Sequence, residues 1–154
     1  MSYKHNFLAL KFSELQNFFN PIEPPKKCHK VVFRFVYDNA KQIVLLEAFG
    51  AKNSDKKFIL PPVPLQDLGF GITLAPDGKL YVSDLELSKK MFDEELGAPG
   101  TGDTHLLFYP VISANHPNSV TYLVEWGKAA GLVQPPAAFT GQELNPSPPA
   151  DPAP

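Results

Sequence analysis

Four histidines and one cysteine are the side chains of this 154-residue chain best suited to general-base or nucleophilic chemistry: His5, His29, His105, His116 and Cys28. A base works only with a nucleophile or an orienting acid within hydrogen-bond reach. Asp103 and His105 come nearest, since two positions apart at the start of a strand they fall on one side. In a hydrolase or transferase His105 would be the base and Asp103 the group that orients it. Their simpler reading is a solvated pair at the mouth of a strand. Cys28 lies far away in sequence, beside His29 and after Lys26-Lys27. Nearby positive charge can lower a thiol pKa, yet a small residue entering a strand explains the position equally well. One cysteine cannot form an internal disulfide, and a thiolate zinc site would need a second chain. No histidine has a second ligand at a spacing that shares a helical face, so no metal and no cofactor is expected.

Gly97-Ala98-Pro99-Gly100-Thr101-Gly102-Asp103-Thr104 has the glycines and the Thr of a phosphate-binding loop, but Asp103 stands where the lysine belongs. A carboxylate there repels phosphate. The segment also joins an expected helix to an expected strand, the reverse of such a loop. Asp93-Glu94-Glu95 diverge around a helix and cannot converge on one cation.

The elements that would position these residues follow from periodicity. Leu8, Phe12, Leu15 and Phe19 form one stripe and predict a helix over 5–20, ended by Asn20-Pro21. Residues 29–37 and 42–49 read as a hairpin turning at Asp38-Asn39-Ala40-Lys41. Val31, Phe33, Phe35 and Tyr37 alternate with Val32 and Val36, so this strand is apolar on both faces and must be covered on both. A short strand over Phe58–Leu60 and a second hairpin over 71–83, turning at Pro76-Asp77-Gly78, are expected next. Ser83 with Glu86 makes a capping box, and Gly97 a stop, for a helix over 84–96. Two strands, 104–113 and 119–126, complete the domain, with Pro110 requiring a bulge or an edge.

The expected fold is therefore α+β: a mostly antiparallel sheet of five to six strands, with two helices packed on one face. The domain is drawn over 1–133, and 134–154 as a Pro-rich extended or disordered tail that contributes little to stability. The second face of the sheet, assigned Val32, Val36, Val44 and Leu46, needs a cover. In the tail, Phe139 is the natural anchor, and Pro148 and Pro149 lie in PxxP segments that could dock in an aromatic groove.

Charge and composition narrow the function. The net charge is −2, and Arg34 is the only arginine among fourteen basic residues. Nucleic-acid readers depend on arginine and on overall basicity, so no nucleic-acid partner is expected. Residues 1–57 hold ten basic and five acidic side chains, and 58–154 hold four and eleven. Such polarity favours association through complementary potentials. No apolar run reaches the ~20 residues of a membrane span, and no leader is visible at Met1–His5. A soluble cytoplasmic protein with no membrane partner is the expectation. The leading functional reading is a non-enzymatic interaction or structural subunit acting in an oligomer or larger complex, with a protein partner or self-association. The alternative is a domain for a small apolar ligand, walled by the Phe-rich sheet face. An enzyme using His105 is third.

Overall fold

The computed structural model describes residues 3–19, 28–51, 62–74, 84–114, 119–129 and 141–146. Strand accounts for 58% of them and helix for 15%. The molecule is thus mostly sheet, and the expected α+β layout of five to six strands under two helices is corrected. Ten strands form one curled, mixed sheet. They are β1 Lys4–Lys11, β2 Lys30–Asp38, β3 Ile43–Ala51, β4 Val63–Pro64, β5 Gln66–Ile72, β6 Leu85–Ser88, β7 His105–Ile112, β8 Val120–Gly127, β9 Gln142–Glu143 and β10 Asn145–Pro146. Helix α1 spans Phe12–Phe19, and a π-helical segment spans Met91–Glu95. The expected strand at Phe58–Leu60, the turn at Pro76–Gly78, and Phe139, Pro148 and Pro149 lie outside the described residues.

Two expected helices become strands in their first halves, because the apolar residues there are buried in a strand's alternation. Phe7, Leu8, Ala9 and Leu10 are all buried, with Leu8 and Leu10 in the main core and Phe7 and Ala9 in a second cluster. That two-sided burial is a strand's, so the first half of the expected helix becomes β1 and only Phe12–Phe19 is helical. Further on, Leu85 and Leu87 alternate inward as β6 and pair with Phe33 and Val31 of β2. Glu86 bonds Lys30 at 3.0 Å. The following turn is instead capped by Ser88, whose hydroxyl accepts the Met91 N–H at 3.0 Å.

The curl originates at β1. His5 pairs with Val44 of β3 and with Ile72 of β5, and Leu8 pairs with Asp67 of β5 and with Phe108 of β7. Strand β5 therefore lines one edge of β1, while β3 and β7 follow one another along the other edge. The β1–β3 ladder is parallel, which makes the sheet mixed. The two wings, β6-β2-β3 and β7-β8, face each other across the core, where the Phe33 and Phe108 rings meet at 5.1 Å. Pro110 falls beyond the residues of β7 that pair with β1, so its missing N–H breaks no ladder there.

Residues 142–146, inside the expected tail, close the far side. Strand β9 pairs with β8, β10 pairs with β6, and Leu144 between them is fully buried in the main core. The Leu144 N–H donates to the Tyr122 carbonyl at 3.0 Å, and its carbonyl accepts the Thr121 hydroxyl at 2.8 Å. Helix α1 packs Leu15, Phe18 and Phe19 into the same core, with Phe19 stacked on Phe92 at 4.8 Å. Gly50 is required here, because the Cys28 thiol occupies the space that a side chain at 50 would take.

Candidate functional site

Where β1, β3 and β5 meet, two irregularities combine. The β1–β5 register shifts between Asn6 and Leu8, and Gly69 on β5 adopts φ +87°. Asp67 fixes the bulge by accepting the Asn6 amide at 2.7 Å and the Gly69 N–H at 2.8 Å. Just before the shift, His5 and Asn6 alternate across β1 as neighbours in a strand do. His5 lies beside Phe35, ring centroids 6.1 Å apart, whereas Asn6 lines a surface groove.

His5 is 4% exposed, and neither ring nitrogen has a hydrogen-bond partner. Burial disfavours the imidazolium and lowers the His5 pKa from 6.5 to about 4. Across Phe35, at 6.0 Å from its ring, stands Tyr122, fully buried with an unpartnered hydroxyl. Burial first, then the nearby Tyr37 phenol, pushes the Tyr122 pKa well above its usual value. Tyr37 is itself 46% exposed and meets Tyr3 edge-on at 5.7 Å.

The groove encloses about 410 Å³ between the start of β1, the β2–β3 turn and β5. Lys4, Asn6, Lys41, Ile43, Phe70 and Gly71 are among its lining. The turn is set by the Asp38 carboxylate accepting the Lys41 N–H at 3.1 Å, and by Gln42 in the left-handed region at φ 56°. The Gln42 carbonyl then accepts the Lys4 N–H at 3.0 Å and draws β1 alongside. Sequence reasoning missed this site. Its signal was the pair Gly69 and Gly71 within an otherwise apolar run, which marks a bulge or a close backbone approach.

The residues singled out from sequence separate. Asp103 Oδ2 accepts the Gly100 N–H at 2.9 Å and closes a local turn. His105 Nδ1 instead faces the Thr104 hydroxyl at 2.6 Å. Desolvation, then the Lys11 charge, lowers the His105 pKa, with Glu14 opposing. Of the four β-hairpin residues, Val44 and Leu46 register with Tyr37 and Phe35 on the inner face, while Val32 and Val36 register with Phe49 and Leu45 on the outer. Val32 is fully buried against Phe49 and Ala51, and Val36 is 37% exposed. The sequence had placed all four on one face.

Among the described residues, no three His, Cys, Asp or Glu side chains are placed to hold a metal ion, and no helix is long and apolar enough to cross a membrane. No protein-family model, curated protein or solved structure matches the chain.

Proposed function

We propose that this protein is a non-enzymatic interaction or structural subunit that docks a protein partner, or a second copy of itself, along β5. The observation that carries this reading is the edge. Among the described residues, Gln66–Ile72 pairs only with β1, which leaves its other edge without a neighbouring strand. Leu68, Phe70 and Ile72 are only partly buried there. Unpaired N–H and C=O groups along such an edge are a template for an incoming strand, and half-covered apolar side chains add to it. The apolar-ligand reading is less well supported, because the Phe-rich inner face packs on itself. Phe33, Phe35, Phe108 and Tyr122 have centroids within about 6 Å of their neighbours. The enzyme reading is weaker still, since Asp103 and His105 take different partners.

Sedimentation equilibrium in moderate salt tests the proposal, together with cross-linking in the source cells. The wild type is expected to self-associate or to capture a specific partner. Leu68→Lys and Ile72→Lys, which place charge on this strand, are expected to abolish that association at some cost to the packing on Phe7 and Tyr109, while circular dichroism keeps the native sheet signal. A wild-type protein that is monomeric and cross-links to nothing would remove this reading.

A further inference from the structure

We propose that the groove between Lys4, Lys41 and Phe70 is a binding site for a flat organic anion, a ring carrying a carboxylate or phosphate. This does not depend on the docking role of β5.

Charge comes first. Lys4 and Lys41 both line the groove, reaching it from the start of β1 and from the β2–β3 turn. Among the described residues, neither ammonium has an ion-pair or hydrogen-bond partner. Asp38 and Asp67, each bonded to a residue of the groove, pair with neither ammonium. Asp38 holds the Lys41 main chain, and Asp67 holds the Asn6 amide and the Gly69 N–H. Two ammoniums that line one cavity and are held in no ion pair are free to donate to an anion there.

Shape comes next. Phe70 and Ile43 supply an aromatic and an aliphatic wall, and both are only partly buried. Gly71 keeps β5 close to β1, because a side chain there would strike the Asn6 side chain and the His5 carbonyl. The cavity of about 410 Å³ is in the range of small-ligand sites, which pair apolar walls with a few placed polar groups. A ring stacks against Phe70 while its anionic group lies between the two ammoniums. Inorganic phosphate satisfies only half of this arrangement.

Proton–nitrogen NMR titration of the full chain tests it, with benzoate and phenyl phosphate as probes and benzyl alcohol and inorganic phosphate as controls. Both aromatic anions are expected to shift the Lys41, Ile43, Gly69 and Gly71 amides saturably, with Kd of about 1 mM or tighter. Benzyl alcohol and inorganic phosphate are expected to bind at least about tenfold more weakly. Lys4→Met with Lys41→Met is expected to weaken the aromatic anions by about tenfold or more, with the rest of the spectrum retaining the native dispersion. Lys41→Met alone, in an exposed turn, is expected to do part of the same. Phe70→Ala is expected to weaken phenyl phosphate and leave inorganic phosphate unchanged. No saturable shift with either aromatic anion would overturn the proposal. So would a Lys41→Met protein that binds them as the wild type does, or inorganic phosphate that matches phenyl phosphate.

Discussion

At the scale of single residues, the orphaned His5 imidazole has a measurable thermodynamic consequence. Above about pH 6.5 it is neutral whether the chain is folded or unfolded, and it adds no pH dependence. Between 6.5 and about 4 the unfolded chain takes up a proton that the buried ring refuses, so stability falls as pH falls. Below about 4 the folded form protonates too, and the loss levels off. The full effect corresponds to ~3 kcal/mol. Chemical denaturation at pH 7 and pH 4.5 is expected to show a lower midpoint at the acidic value. His5→Phe, which fills the same space without a titrating group, is expected to remove most of that difference. Equal pH dependence in the two proteins would show that the ring is solvated in the folded state. Tyr122 carries no comparable pH signature, because its pKa is pushed further from the working range.

At the scale of elements, the consecutive strands β9 and β10 are short, yet Leu144 between them gives the segment an anchor in the main core. Leu144→Ala is expected to cost about 2–5 kcal/mol, and truncation after residue 140 to lower the melting temperature by more. Thermal unfolding followed by circular dichroism checks both, and an unchanged melting temperature on truncation would show that the sheet closes without this segment. Legibility in the sequence varied with the source of each element's information. The β2–β3 hairpin was readable because Val31, Phe33, Phe35 and Tyr37 keep a strict alternation. β1 was not, because its register with β5 shifts between Asn6 and Leu8, and Leu8, Phe12, Leu15 and Phe19 look like one helical stripe. β6 was hidden by Ser83 and Glu86, a capping pattern whose Glu instead answers Lys30 from another strand. Closure by Leu144 leaves no periodic trace at all in two-residue strands. The groove was invisible for a related reason: Lys4, Lys41 and Phe70 are brought together by register, not by spacing along the chain.

At the scale of the whole molecule, the basic first third and the acidic remainder are interleaved by the topology. β1 of the basic part pairs with the acidic part's β5 and β7 as well as with β3 of its own part, so the sequence polarity is not a simple division of the fold into two poles. The same interleaving governs assembly in time. Leu8 meets Phe108, Lys30 meets Ser88, and the seam waits for Asn145 to reach Glu86. Nearly every ladder except the two hairpins therefore closes a long loop before any contact rewards it. Refolding from denaturant is expected in the millisecond-to-second range typical of such topologies, slower than for helical domains of this size. Stopped-flow fluorescence of Trp126 would follow it, and microsecond refolding would contradict the ladder order. For a chain emerging in sequence, the consequence is one of timing. Until residues 142–146 arrive, β6 and β8 present open rims, and the nascent domain is at its most vulnerable to pairing with the wrong neighbour just before it is finished.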